Sequence, residues 1–341
     1  MKAAVFARHG GPEVIRLEDV PTPDPGAGEV RVRVRAASLN HLDLWVRRGL
    51  IPEAPMPHIG GADLAGEVDA LGAGVDPAWA GARVVVDPSL DYAWYDAVAR
   101  GTAEPGRRFR LIGEHTQGGF AELCVVPAAN LVRLPDDVSF SHAAAAALVG
   151  VTAWHGLMTR GALAPGETVL VTGASGGVST MAIQIARLAG ARVLAVTSGA
   201  DNVARVRALG ADRVYDRLVG DWAAAVWNDT GRRGVDLILD SVGAALWAAN
   251  VRALAVRGRL VSYGATSGAT GETAINQLFW KQLSILGATM GSPEEFRDVM
   301  ARVFSFHLKP VIAEVMSLAD ARRAHERLER GDVFGKLVLE P

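Results

Sequence analysis

The sequence predicts an α/β protein in which an irregular antiparallel β-barrel domain is joined to a six-stranded, doubly wound parallel sheet. Two stretches carry that expectation. In ETVLVTGASGGVSTMAIQIARLAGARVLAVTS, residues 167–198, a short β-rich apolar run (168–172) leads into the turn Gly173-Ala174-Ser175-Gly176-Gly177. A helical pattern follows with Met181, Ile185 and Leu188 on one face, Gly190 stands where a helix would stop, and 192–197 reads as a second strand. The first 135 residues read differently, as short strands broken by glycine and proline turns.

Strand, glycine turn, helix and strand form the first half of a dinucleotide-binding fold. Glycines let the backbone approach a pyrophosphate, and the free N–H groups opening the helix meet its negative charge. The turn departs from G-x-G-x-x-G, because Ala174 and Ser179 take the outer glycine positions around Gly176 and Gly177. A slightly wider turn is expected, with the Ser175 hydroxyl available to phosphate. At the end of the second strand an acidic residue would hold the ribose hydroxyl of NAD, and Thr197-Ser198 stands there instead. Ser198 leaves room for a 2′-phosphate, and Asn202, Arg205 and Arg207 follow. NADP(H) is therefore favoured over NAD(H).

The other elements fall in order around this unit. Residues 1–7, 14–19 and 30–36 are strand-like, and Val30, Val32 and Val34 alternate with Arg31, Arg33 and Arg35, the period of a half-buried strand with a solvated basic face. Pro21, Pro23 and Pro25 stiffen a linker. Further strands are expected at 63–71, 82–87 and 120–126. Ser139 or Ser141 can cap a helix running from His142 toward Leu157. Strand patterns at 213–215, 235–240, 259–263 and 283–289 complete the six, with helices at 203–209, 222–227 and 246–256. Residues 293–304 and 318–330 read as helices and 336–339 as a last strand. The predicted domains are 1–149, 150–291 and a return, 292–341, to the first.

The bulk properties exclude several classes. The 341 residues suit two domains, and a net charge of −2 with no long run of either sign argues against nucleic acid as a partner. Cys124 is the single cysteine, so neither an intrachain disulfide nor a thiolate metal cluster can form. The longest apolar run, 143–154, is too short to span a bilayer, and residues 1–8 lack the apolar core of a signal peptide. A soluble cytoplasmic protein that acts on a small molecule is expected.

The order of β lobe, dinucleotide fold and C-terminal return resembles the medium-chain dehydrogenase/reductase superfamily over essentially the whole chain. The stretches that carry the resemblance are MKAAVFARHGGPEVIRLEDVP, AASLNHLDLWVRRG, GGADLAGEVDALGAGV, GGFAEL, AAAAALVGVTAWHGL, the glycine turn, GRLVSYGATSG and VFGKLVL. The resemblance implies a GroES-like barrel and a Rossmann domain, and a homodimer or homotetramer. The apolar sixth strand (Leu283, Ile285, Leu286) offers an edge for that pairing. It also implies cofactor contacts from Thr152, Ser175, Gly176, Gly177, Val178, Ser198, Asn202, Arg205, Gly264, Ala265 and Lys336.

Zinc members of the superfamily hold a catalytic ion at positions that fall here on Asn40, Ala62 and Leu148, none a good ligand. Asp63 and His41 lie nearby in the sequence, but two candidates do not make a site. The positions of a second, structural zinc fall on Tyr92, Tyr95, Val98 and Gly106, in a lobe from Ser89 to Gly113 that aromatic packing of Tyr92, Trp94, Tyr95 and Phe109 is expected to hold. No zinc is expected. The closest branch is then the zinc-independent quinone oxidoreductases and enone reductases. These pass hydride to a quinone or an activated C=C, where developing charge needs only hydrogen-bond donors. Within that resemblance Asn40 is expected beside the nicotinamide, touching substrate oxygen or cofactor. His41 could donate a hydrogen bond or proton, and Asp43 shares the same wall, with bracing of the loop its expected task. Trp45 lies on that wall too. His115 reads as a satisfied loop histidine and Cys124 as a small core residue. The loops 50–58 and 266–277 are expected to shape the cleft. A zinc-type alcohol dehydrogenase and a non-enzymatic NADP-binding protein stay open as alternatives.

Overall fold

Alternation in the strand Glu29–Ser38 organises the first unit: Val30, Val32 and Val34 are buried while the arginines between them face outward. Those arginines do more than solvate a face. Arg31 and Arg33 both reach Asp69, at 2.7 and 2.5 Å, and Arg35 reaches Glu67 at 2.7 Å, all on the neighbouring strand Asp63–Leu71. A computed structural model describes every residue except Pro52, which falls in the 50–58 loop expected to shape a cleft, so that call lies partly outside the described residues. The chain divides into two units, Met1–Leu148 with Gly291–Pro341, and Val149–Met290.

In the first unit the strands Leu131–Arg133, Arg83–Val86, Asp63–Leu71, Glu29–Ser38, Lys336–Glu340 and Ile312–Ser317 lie side by side in that order, with Leu123–Pro127 also paired to Glu29–Ser38. A smaller sheet sets Lys2–Phe6 between Arg16–Asp19 and His58–Ile59. Pairing is antiparallel as expected except at the C-terminal end, where Ile312–Ser317 and Lys336–Glu340 run parallel. The former was not anticipated; its exposed, half-polar pattern hides a strand at a sheet edge. In the lobe, the rings of Tyr92, Tyr95 and Phe109 lie 5.2–5.8 Å apart with Trp94 5.2 Å from Tyr95, the expected aromatic packing.

The second unit is a six-stranded parallel sheet in the order Arg213–Asp216, Arg192–Thr197, Thr168–Val171, Val235–Asp240, Leu254–Ser262, Ser284–Gly287. That is the doubly wound order, third-second-first-fourth-fifth-sixth, whose direction reverses between Thr168–Val171 and Val235–Asp240. The helix expected at 246–256 instead spans Ala244–Ala253, and the strand after it begins at Leu254 rather than Arg259. Leu254 and Ala255 are buried, and Leu254 pairs with Val235 across a bulge. Sheet pairing thus captures a segment that helical spacing alone assigned to the helix. No described helix is long and apolar enough to cross a membrane.

Candidate active site

In the first unit, Asn40 caps the helix His41–Arg47 in extended conformation, and its backbone N–H donates to Asp43 Oδ2 at 2.7 Å. Asp43 Oδ1 accepts the Gly61 N–H at 2.9 Å, so this buried carboxylate ties the helix start to the Gly60-Gly61 turn. Burial raises its pKa to about 6, against the two N–H bonds and the positive charge of Lys336. Each oxygen accepts one backbone N–H, so Asp43 braces the loop.

The side chain of Asn40 faces the opposite way, into a buried ionic cluster. Lys336 Nζ donates to Asn40 Oδ1 at 2.5 Å and to Asp63 Oδ2 at 3.1 Å. Asp63 also accepts from Asn40 Nδ2 at 2.9 Å, Ser38 Oγ at 2.8 Å and the Leu148 N–H at 2.8 Å. Lys336 is 3 % exposed and Asp63 fully buried, so their charges are paired and every lone pair that matters is served. Gly335 makes this possible: its φ is +91° and a Cβ there would stand 2.2 Å from the Val311 carbonyl oxygen. Lys336, expected to contact the cofactor, is held by Asn40 and Asp63, and Asn40, expected beside the nicotinamide, keeps one amide hydrogen outside these bonds.

His41 is exposed, yet crowding by its neighbours, and then the charges of Lys336 and Arg48, hold its pKa below the usual imidazole range. At neutral pH it is neutral, which weakens it as an acid but leaves a hydrogen-bond donor. Cys124 is buried, and burial pushes its thiol up to about 12, in keeping with a core role. His115 accepts the Leu111 N–H on Nδ1 at 3.2 Å, a satisfied loop histidine. The residue before it, Glu114, drew no notice in the sequence, yet it is buried to 9 % exposure and, among the described residues, accepts no hydrogen bond. Only three-dimensional crowding marks it.

A zinc of the kind these folds suggest does not suit this donor set. The Asn40 amide is taken up by Asp63 and Lys336, Ala62 has no donor atom, Leu148 offers only its N–H, already given to Asp63, and the Asp63 carboxylate is neutralised by Lys336. Among the described residues no group of three His, Cys, Asp or Glu side chains converges.

In the second unit the glycine turn opens the helix Gly177–Leu188. Gly173 adopts φ +53°, and the Gly176 N–H closes onto the Gly173 carbonyl at 2.9 Å, so the turn is tight rather than widened. Ala174 is accommodated by turning inward, fully buried, with its N–H on the Val196 carbonyl. Ser179, where the strict pattern has glycine, uses its hydroxyl instead: Oγ donates to the Thr172 carbonyl at 2.9 Å and lies 3.2 Å from Tyr263 Oη. Thr172 in turn donates to the buried Asp240 at 2.5 Å, whose other oxygen accepts the Gly243 N–H at 2.9 Å. These bonds lace the carboxyl ends of the first, fourth and fifth strands together at the point where the sheet order reverses.

Ser175, Gly176, Gly177 and Val178 stay partly exposed at the helix N-terminus, where the N–H groups of the first turn have no carbonyl partner within the helix. This is a cradle fitted to a pyrophosphate. Ser198 is half-exposed after the second strand; Asn202 donates its side-chain N–H to the Ser198 carbonyl at 3.0 Å, so it braces that turn, and Arg205 is exposed nearby. Thr152 is buried with its hydroxyl 3.7 Å from Met290 Sδ. Gly264 and Ala265 begin the loop after the fifth strand, which the Thr266 and Ser267 N–H groups fasten to the Ser241 and Val242 carbonyls at 3.1 and 2.9 Å. These residues would hold a nicotinamide dinucleotide.

A β unit of this topology and a doubly wound unit with a phosphate cradle at its switch point define a two-domain dehydrogenase. Comparison with known proteins agrees. The alcohol dehydrogenase GroES-like domain family matches residues 26–136 and the zinc-binding dehydrogenase family residues 177–305. A quinone oxidoreductase of Pseudomonas aeruginosa is 32% identical over 349 residues, covering 100% of this chain and 99% of that protein. A solved structure of an NAD-dependent alcohol dehydrogenase superposes with a TM-score of 0.94 at 42% identity, covering 100% of both chains. That of a crotonyl-CoA carboxylase/reductase in complex with NADP gives 0.88 at 27% identity, covering 100% of this chain and 94% of that one. The chain belongs to the medium-chain dehydrogenase/reductase superfamily, zinc-type alcohol dehydrogenase-like, on the quinone oxidoreductase side of it. It is an NAD(P)H-dependent oxidoreductase acting on a small molecule.

Proposed function

We propose that this enzyme is a zinc-independent reductase that transfers hydride from NADPH to a quinone or to the activated C=C of an α,β-unsaturated carbonyl. The observation that supports the reading is the buried Lys336–Asp63–Asn40 cluster, which engages Asn40, the residue standing where zinc members carry a ligand, in a satisfied ion pair. Without a Lewis acid, stabilising an alkoxide is difficult, whereas an enolate or phenolate needs only hydrogen-bond donors. The free amide hydrogen of Asn40 and the neutral imidazole of His41 supply two such donors.

When bound, the dinucleotide supplies the hydride. The chain's part is to seat it: the N–H groups of Gly177 and Val178 and the Ser175 hydroxyl meet the pyrophosphate, and Thr152 the carboxamide end. Ser198 and Arg205 favour the 2′-phosphate of NADP, since a charge-assisted contact is worth on the order of 1.5–3 kcal/mol. We also read the enzyme as cytoplasmic and as a homodimer or homotetramer. Steady-state oxidation of NADPH and NADH with a panel of quinones, enones and alcohols tests the whole reading. NADPH is expected to be preferred roughly ten- to hundredfold, and Ser198→Asp to reverse or abolish the preference by placing a carboxylate against the phosphate. Turnover of alcohols with stoichiometric bound zinc would overturn it.

A further inference from the structure

Glu114 is a buried carboxyl that the site description leaves without a task. We propose that Glu114 is the acid that protonates the substrate in the reduction, at the place beside Ala62 where a metal would otherwise take up the developing charge. The proposal rests on the reductase reading above.

The backbone sets Glu114 against the site. Gly113 adopts φ +72°, and a Cβ on it would stand 2.6 Å from the Gly61 carbonyl carbon and 2.8 Å from the Ala62 nitrogen. The Gly118, Gly119 and Phe120 N–H groups then donate to the carbonyls of Ile59, Gly61 and Gly60 at 2.7, 2.8 and 3.0 Å. His58, fully buried, holds the same loop through Nε2 and the Gly113 carbonyl at 2.9 Å. Glu114 therefore begins where the chain touches Gly61 and Ala62.

Every candidate counter-charge is engaged elsewhere. His115 Nδ1 lies 3.8 Å from Glu114 Oε1 but already accepts the Leu111 N–H, which puts the ring proton on Nε2, toward Glu53. Arg108 donates to Glu53 at 2.6 Å. Asp43 adds negative charge, with both its oxygens bound to backbone. Burial first, then Asp43 and Glu53, against Arg108, raise the Glu114 pKa to about 7. His58 is held neutral by burial and adds no positive charge. The Glu114 side chain keeps about 11 % of its surface open to solvent. An acid poised near neutral pH, with only the His115 imidazole beside it and part of its surface open, is the form a proton donor takes.

The chemistry balances. Hydride from NADPH brings two electrons to the β-carbon of the enone, the C=C π pair moves toward the carbonyl, and the Glu114 O–H bond breaks to give its proton to the resulting enolate. Glu114 is left as carboxylate and recovers a proton from water through its opening. For a quinone the same proton completes the hydroquinone.

The test compares wild type, Glu114→Gln and Glu114→Asp, with cyclohexenone and benzoquinone as acceptors. Glu114→Gln is expected to lower kcat about a hundredfold or more while NADPH binding, read by fluorescence, is unchanged, and Glu114→Asp to keep part of the rate. Wild-type kcat should fall above pH about 7, and that limb should vanish in Glu114→Gln. Independently of turnover, the infrared difference between wild type and Glu114→Gln should show a carboxylic-acid carbonyl band at pH 6 that is lost as the pH rises through about 7. An active wild type matched by Glu114→Gln in rate and pH limb, or no such band, overturns the proposal alone. A wild type inactive with both acceptors overturns the reductase reading and the proposal together.

Discussion

Lys336 and Asp63 form a buried ion pair around Asn40. The ammonium of Lys336 and the carboxylate of Asp63 lie 3.1 Å apart, almost wholly out of water, with Asn40 bridging them. Removing one partner leaves an uncompensated buried charge, which costs roughly 3–5 kcal/mol, whereas removing both is far milder. Lys336→Met is therefore expected to lower the urea-unfolding free energy by about that amount, and Asp63→Asn in the same chain to recover much of the loss. A change below about 1 kcal/mol would mean that the pair is solvated in solution. The contact joins residues at opposite ends of the chain, which is why no spacing rule pointed to it. Glu114 escaped for a related reason: glutamate in a glycine-rich loop reads as solvent-facing until the loop is laid over Gly60 and Gly61.

At the scale of elements, the helices His41–Arg47 and Ala321–Arg330 meet through Arg47, which is fully buried. Arg47 donates to Glu329 at 2.9 Å, and its other nitrogen lies 3.4 Å from His325 Nδ1. Burial first, and then the Arg47 charge, depress the His325 pKa to about 3. The unfolded chain, with an ordinary imidazole near 6.5, binds a proton that the folded protein refuses. His325 thus leaves stability untouched above pH about 6.5 and removes it as the pH falls toward 3, by up to about 1.4 kcal/mol per pH unit. Asp43 and Glu114, whose pKa values are raised, act in the opposite sense over part of that range, so the difference between variants is the quantity to measure. His325→Phe, packed as before against Phe120, should unfold with a shallower acid limb between pH 6 and 4 than wild type. Equal slopes would place His325 in water. The helix Ala321–Arg330 was legible from its spacing, but its buried histidine was not, because the partner that denies it a proton comes from the first helix.

At the scale of the molecule, apolar surface gathers at one edge of the parallel sheet. The edge strand Ser284–Gly287 exposes Ile285 at 39 %, and the preceding helix Ile275–Trp280 exposes Ile275, Phe279 and Trp280 at 71, 59 and 77 %. An unpaired strand edge flanked by exposed aromatic side chains favours association, and an isologous pairing of two copies would cover it. Sedimentation is expected to give a dimer or a higher symmetric state at micromolar concentration, and Ile285→Lys to shift it toward monomer. A wild type that sediments only as monomer would remove this reading.

The sequence by itself determined the doubly wound sheet, the glycine turn that opens its first helix, the alternating barrel strand and the residue types at Asn40, Ala62 and Leu148. Each of these is written in local order: periods of two and of three to four, glycine where the backbone must turn, and residue types that do or do not carry a donor. Only the tertiary structure decided that Ser179 binds Thr172 and Tyr263, that Asp43 braces Gly61, and that the segment from Leu254 is strand rather than helix. It also decided that Lys336 pairs with Asp63 and that Glu114 lies buried beside His115. Those facts depend on which distant groups share a space from which water is excluded. There, the energy of a charge is set by its neighbours rather than by its place in the chain.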